Sequence, residues 1–356
     1  MADGRQDKSR PRGRPATTGL IVLASLVVIF AGIRAAEKLI VPFLLAVFIA
    51  VIVSSVILWL RKHGVGSAVA LILMVFALIA TVVGLTALVG SAVDGFRENM
   101  PEYQEKLSAK WDAVSEWLEE RDRKVPELDA LLKQVDPKPV LAFTGSLLGS
   151  LSRLLGNSFL ILLTVVFMLL EGSSFPAKLD ALPEGMREVT AQYREVIVSI
   201  RHYMALKTVI CAITGVLVTL LLLVLGVEYA VLWGLLAFLL NYIPNIGSII
   251  AALPAVLLAL VLKGPWPAVW VAVGYIAINV VMGNVVEPRV MGKGMGLSAL
   301  IVFLSLVFWG WLLGPVGMLL SVPLTISVKI GLSAVERTRP IALLLGPATA
   351  PPPASS

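Results

Sequence analysis

Two short interruptions hold most of the residues able to do chemistry in this 356-residue chain. The first, Asn241-Tyr-Ile-Pro-Asn-Ile-Gly247, lies inside the apolar run 230–262, with Pro254 further on. The second lies inside the run 297–328 and contains Gly310, Gly314, Pro315 and Gly317, with Pro323 beyond it. As unbroken helix either run would be about 50 Å long, against a hydrocarbon core of about 30 Å. Each is therefore expected to be a helical hairpin or a broken helix, with a kinked single span as the alternative. A helix that breaks in mid-membrane presents free N–H groups and the positive end of a half-helix to a polar solute.

At the first break Asn241 and Asn245 add amide donors and acceptors, and Gly247 opens a new half-helix. Asn279 and Asn284 fall in the next run, 266–286, five residues apart and so not on one α-helical stripe. An asparagine inside a span needs a partner, and a solute or another helix satisfies it equally well. The expected solute path joins Asn241, Pro244, Asn245, Gly247, Pro254, Asn279 and Asn284 on one side to Gly314, Pro315 and Gly317 on the other. The two breaks also resemble each other weakly, Pro244, Gly247 and Pro254 against Pro315, Gly317 and Pro323, which suggests an internal repeat.

Titratable groups are few. No Asp or Glu sits in the middle of a span, so the candidates for ion coupling are the end residues Glu37, Glu171, Glu228 and Glu287, with Glu171 closing the fourth span and Arg289 beside Glu287 as a local ion-pair partner. A solvated or paired boundary carboxylate is the plain alternative. Cys211 is the only cysteine, which excludes internal disulfides and cysteine metal sites. His63 and His202 both lie in charged boundary segments, and no glycine-rich run ends in Gly-Lys-Ser/Thr. The sequence thus supplies neither a hydrolytic centre nor an ATP cradle, and no cofactor or metal is expected. If the chain transports, it does so as a secondary or passive carrier.

The elements that must position these residues follow from composition. Apolar residues make up 58% of the chain and charged ones 15%, where soluble domains run near half and a quarter. Residues 203–286 contain only Lys207, Glu228 and Lys263 as charged groups. The expected fold is an all-α integral membrane protein with eight hydrophobic segments, at 18–33, 39–60, 67–89, 155–170, 207–225, 230–262, 266–286 and 297–328. The net charge of +6 is spread around these runs and forms no basic face, so nucleic acid is excluded and the charge reads as topology. With the N-terminus inside and both long runs counted as double passes, the inner segments hold 17 Lys and Arg against 3 in the short outer connections. Both termini are then cytoplasmic.

Five regions result: a basic tail at 1–17, three spans in 18–89, an outer loop at 90–154, the remaining spans in 155–335, and a disordered tail at 336–356. In the outer loop Met100, Tyr103, Leu107, Trp111, Val114 and Leu118 recur at steps of three and four, an amphipathic helix starting at Pro101. On the inner side Met186, Val189, Tyr193, Val196, Ile200 and Met204 form a second apolar stripe, expected to pack under the spans.

Four runs in order resemble one family. They are Val41-Pro-Phe-Leu-Leu45, then Leu225-Gly-Val-Glu-Tyr-Ala-Val-Leu-Trp-Gly234 followed by Asn241 to Pro254, then Glu287-Pro-Arg-Val-Met-Gly-Lys-Gly294, and finally Gly314 to Pro323. Together they are similar to the signatures of the autoinducer-2 exporter family of bacterial and archaeal membrane proteins. Where that pattern favours an aromatic residue and a proline, this chain has Asn245 and Ser248. The resemblance implies a multi-pass transporter of the cytoplasmic membrane and a homo-oligomer. Its partners would be the lipid bilayer and either a small polar solute or a monovalent cation. Export of autoinducer-2 is the function implied first, with sodium or lithium/proton antiport as the alternative. A non-transporting scaffold that binds a partner near Trp111 and Trp117 is the reading from another class.

Overall fold

In a bilayer a long apolar run has only itself to satisfy its backbone polar groups, so it folds as helix. The computed structural model describes residues 15–109, 138–156, 158–172, 187–244, 246–291, 297–333 and 338–346, and every regular element among them is helical. In chain order these are α1 (Pro15–Ala35), α2 (Glu37–Lys62), α3 (Ser67–Glu98), α4 (100–109), α5 (Lys138–Gly156), α6 (Ser158–Gly172) and α7 (Arg187–Val224). Then come α8 (Ala230–Leu240), α9 (Ile246–Lys263), α10 (Pro265–Val280), a π-helical turn (Val281–Val286) and α11 (Glu287–Met291). The chain closes with α12 (Ala299–Leu319), α13 (Ser321–Ser333) and α14 (Arg339–Leu344).

Six of the described helices are long and apolar enough to cross a membrane: α2, α3, the Ile200–Val224 part of α7, α9, α10 continued to Val290, and α12. Shorter apolar helices lie at Leu23–Ala35, Ser158–Gly172, Ala230–Leu240 and Ser321–Ser333. The run 230–262 is divided after Leu240, where α8 ends in the turn 241–244, and helix resumes as α9 at Ile246. The run 297–328 reverses at Gly314, whose φ of 65° and ψ of −154° are not helical. Both long runs are thus discontinuous, as their length requires. Outward-facing side chains such as Val28 on α1 and Phe76 on α3 stay two-thirds exposed, which suits contact with lipid tails.

The hairpins enter from opposite ends. α8 runs back along α7: it starts beside the Leu222–Val227 hydrogen bond and ends where Tyr242 donates to Thr208 Oγ1 at 2.8 Å. The first tip therefore points toward the end that carries Glu287. At the other end, Gly95 of α3 lies against Tyr229, and the α1–α2 corner lies there too because α2 and α3 are antiparallel. Glu37 of that corner abuts Gly314, so the second tip points the opposite way.

Two buried clusters hold these parts. Trp233, fully buried, centres one cluster with Val89, Phe96, Leu148, Leu222, Ala255 and Tyr275, and its indole N–H donates to the Glu228 carbonyl at 2.9 Å. The other brings Phe48, Tyr203, Met204, Cys211 and Tyr242 against Val316, Leu320 and Ile326, so the first tip packs directly on the second hairpin.

Several boundaries differ from the sequence reading. α3 runs on to Glu98, nine residues past the expected end of the third span, because Val89, Ala92, Val93 and Phe96 keep one face apolar and buried. The fourth span begins at Ser158, residues 155–156 belonging to α5. The inner amphipathic stripe runs into the first part of α7, where Ile200 is half-buried and Met204 buried; Met186 and the side chains of Val189, Tyr193 and Val196 lie outside the described residues. Within the tail expected to be disordered, Arg339–Leu344 forms α14, with Ala342 buried and the Leu345 carbonyl accepting from the Ser298 N–H at 3.2 Å, while residues 347–356 lie outside the described residues. Of the outer stripe, Met100, Tyr103 and Leu107 pack into the Trp233 cluster, while Trp111, Val114, Trp117 and Leu118 lie outside the described residues.

Candidate functional site

The first break is shaped by residues that cannot continue a helix. Pro244 has no N–H to give, and the Ile246 N–H bonds the Pro244 carbonyl at 2.7 Å, a tight turn. α9 then starts so close to the end of α8 that a methyl group on Gly247 would run into the Leu240 carbonyl. Asn241, the last residue of the descending strand of chain, turns its amide to α7, where Nδ2 donates long hydrogen bonds to Thr214 Oγ1 at 3.4 Å and Cys211 Sγ at 3.5 Å. Asn245 lies outside the described residues.

Opposite this break, α10 widens into its π-helical turn. The cause lies just downstream. Pro288 lacks the N–H that would bond the Asn284 carbonyl, and its ring would collide with that carbonyl in α register. A wider i→i+5 turn relieves the collision, and such turns frequently mark functional sites. It also brings residues five apart onto one face, so Asn279 and Asn284 line the same cavity. The Asn279 amide donates to the Tyr275 carbonyl of its own helix at 2.9 Å.

At the end of the π turn Glu287 meets Lys207 of α7. Lys207 Nζ donates to both carboxylate oxygens, at 2.7 and 2.9 Å. The local Glu287–Arg289 pair expected from sequence is replaced by this one, and Arg289 is exposed. Lys207 itself, counted with the inner loop by the charge tally, is buried within the Ile200–Val224 span. Sequence reasoning passed over it because a lone lysine at the start of an apolar run resembles a boundary charge. The signal was its isolation, since residues 203–286 hold one other lysine and one glutamate.

Between these elements lies a cavity of about 630 Å³, within the range typical of small-molecule sites. Its polar end is made by Lys207, Glu287, Asn241, Asn279, Asn284 and Ser248. Its apolar end is made by facing residues of α9 and α10, among them Leu253, Val256, Ala272 and Ile276. Tyr275 also lines it, and its buried hydroxyl has no hydrogen-bond partner among the described residues. Among the described residues no group of His, Cys, Asp and Glu is arranged to hold a metal ion.

Of the residues expected on the solute path, the cavity gathers Asn241, Pro244, Asn279 and Asn284, and it adds Glu287, expected as an ion-coupling candidate. Gly247 shapes the turn without lining the cavity, and Pro254 is buried inside α9. Gly314, Pro315 and Gly317 lie at the second tip, away from the cavity, beside the α1–α2 corner. There Arg34 stacks over the Trp311 ring at 5.1 Å. Glu171 sits exposed at the end of α6 and does not line the cavity. The likeness between the breaks survives in one feature: Gly317 is pressed against the Trp309 carbonyl as Gly247 is against that of Leu240.

A second polar cluster closes the opposite end. Tyr103 of α4 donates to Glu228 Oε2 at 2.8 Å, and Asn99 Nδ2 donates to the Tyr229 hydroxyl at 3.5 Å. Burial, with hydrogen bonds to Tyr229 and Glu228, pushes the Tyr103 phenol above its ordinary value. These bonds tie α4 to the α7–α8 corner.

Comparison with known proteins agrees with this architecture. Residues 23–337 match the AI-2E family transporter profile. The chain is 44% identical over 326 residues to AI-2 transport protein TqsA of Escherichia coli K12, covering 92% of this chain and 94% of that protein. It is 39% identical over 340 residues to the putative transport protein YhhT of the same strain, covering 94% and 96%. A putative transport protein of Haemophilus influenzae is also 39% identical, over 333 residues that cover 92% and 95%. With discontinuous apolar helices around a part-polar cavity, and similarity along nearly its whole length, this chain belongs to the AI-2E transporter family and is a multi-pass membrane transport protein.

Proposed function

We propose that the cavity at the first break binds a small polar solute, and that the chain exports it as a secondary transporter. Autoinducer-2, the cargo in the name of TqsA, is the first solute to test. The supporting observation is the collection of three asparagines and a Lys207–Glu287 pair in one cavity inside apolar spans. The pair carries no net charge, so this lining suits a neutral, hydroxyl-rich solute better than an ion. Movement would be easiest at the breaks, where fewer intrahelical hydrogen bonds resist bending. In this reading the Glu287 end faces the cytoplasm, both termini are cytoplasmic and the protein works as a homo-oligomer in the inner membrane.

Proteoliposomes holding the full chain test the reading. Efflux of autoinducer-2 should fall at least tenfold in Asn241→Ala and Asn279→Ala, and unchanged efflux in both would remove the site assignment. Single cysteines placed at positions 120 and 291, labelled from each side of the membrane, test the orientation.

Sodium or lithium/proton antiport is the second reading, favoured by the position of Glu287 in the cavity against a buried lysine. A pH dye inside the same vesicles separates the two. Sodium-driven proton flux abolished by Glu287→Gln, without solute efflux, would support antiport. A scaffold without transport would show neither flux.

A further inference from the structure

The cavity has a mouth that no aqueous solute would select. Ile249 and Leu253 on α9 and Ile276 and Val280 on α10 rim it, and their side chains are 43–64% exposed. Four such side chains facing water would each forgo about 1.5–3 kcal/mol of burial. In contact with lipid tails they forgo nothing, so this mouth opens sideways into the bilayer. α9 and α10 are joined by the single residue Gly264, and near that end Leu258, Ala259, Val261, Ala268 and Val271 are buried in one cluster. The cavity opens below them, from Val256 and Ala272 toward the first break, as a crevice between the two helices.

The crevice is graded along its length. From Val256 to Ser248 it descends about 12 Å along α9, with Leu253, Ala252 and Ile249 on that wall and Ala272 and Ile276 facing them. Below this apolar stretch lie the amides of Asn241, Asn279 and Asn284 and the Lys207–Glu287 pair. Beyond the bonds these groups already make to one another and to α7 and α10, a hydrocarbon tail alone would leave their remaining hydrogen-bonding capacity unmet and their charges facing an apolar occupant. Water alone would leave the apolar walls wet. The occupant that fits both ends is an amphiphile. The floor presents one cation and one anion 2.7 Å apart, a pattern complementary to a head group carrying both phosphate and amine. An anionic head group would meet Glu287 without compensation.

We propose that the crevice between α9 and α10 takes a zwitterionic phospholipid from the surrounding bilayer, its phosphate toward Lys207, its amine toward Glu287 and one chain between the two helices. This goes beyond solute transport and does not depend on it. The lipid enters from the side, and its head group competes with any solute for the Lys207–Glu287 floor.

The test is lipid retention, measured with no solute present. The full chain is reconstituted in vesicles of equal phosphatidylethanolamine and phosphatidylglycerol, extracted in mild detergent, and its bound lipid counted by native mass spectrometry. Phosphatidylethanolamine should be retained over phosphatidylglycerol by at least fivefold. Ile276→Trp, which fills the mouth and leaves the charged floor intact, should reduce that preference to near unity. Phe76→Trp, on the lipid-facing side of α3, should leave it unchanged. No preference in the wild type, or a preference that persists in Ile276→Trp, would overturn the proposal whatever the efflux assay gives. Failure of efflux alongside intact, mouth-dependent retention would overturn only the solute reading.

Discussion

Lys207 and Glu287, 80 residues apart in sequence, form a two-pronged ion pair whose members are unequally buried. The lysine side chain is 4% exposed and the glutamate 27%. That asymmetry gives the two halves different costs. Without Glu287 the ammonium is stranded among apolar spans, whereas without Lys207 the carboxylate can draw on solvent. Glu287→Gln should therefore destabilise by about 3 kcal/mol, toward the range for broken buried pairs. Lys207→Met should cost closer to about 1 kcal/mol, and the double variant should recover part of the larger loss. Thermal unfolding of the three variants in detergent checks the order. An equal or reversed order would mean that burial of the lysine does not govern the pair.

Function should be most sensitive where the chain turns. Gly247→Ala forces its methyl group against the Leu240 carbonyl, and Pro244→Ala frees a fixed φ in the same turn. Each should lower solute efflux at least tenfold in vesicles. Val216→Ala, on the lipid-exposed side of α7, should leave efflux within twofold of wild type. Comparable losses at all three positions would separate transport from the geometry of the break.

How far the fold and the site were legible follows from the length scale of each signal. Apolar run length exceeds any plausible local exception, so the spans and the two discontinuities at 241–247 and 314–317 were readable. Long-range pairing was not. Nothing near Lys207 in sequence announces that Glu287 folds back onto it, and Arg289 was the better partner by proximity alone. The cavity was half legible: Asn241, Asn279 and Asn284 stood out as polar residues in apolar runs. Their convergence depends on a π turn that a 3.6-residue period cannot express. The second break was legible as a break, but not its distance from the first: a hairpin entering from the opposite end carries its tip away from the cavity, to the α1–α2 corner.

The π turn itself can be tested through Pro288. Pro288→Ala restores an N–H to the Asn284 carbonyl and removes the ring that blocks the α register. The turn should tighten, rotating Asn284 away from Asn279. With Cys211→Ala as background, a cysteine at position 284 should react several-fold more slowly with a small water-soluble thiol reagent once Pro288 is replaced. A cysteine at position 279, upstream of the change, should react as before. Equal rates at 284 with and without the proline would show that the widened turn has another cause.

Tyr103 and Glu228 give the clearest pH signature. The phenol is held above its ordinary value of 10.0, by burial first and by its hydrogen bonds to Tyr229 and Glu228 second. A folded-state value above the unfolded one means that the protonated phenol stabilises the fold. That contribution is complete below pH 10 and is lost progressively as pH rises from 10 toward the higher folded value. Tyr103→Phe should cost about 1 kcal/mol at neutral pH through the lost hydrogen bond. More tellingly, it should make the fall in unfolding temperature between about pH 10 and 11 shallower, because this buried phenol is no longer there to ionise. Glu228→Gln keeps a hydrogen-bond acceptor but removes the charge that opposes ionisation, so its alkaline slope should lie between those of wild type and Tyr103→Phe. A slope in Tyr103→Phe as steep as in wild type would assign the alkaline loss to another group and leave the α4 contact a packing contact only.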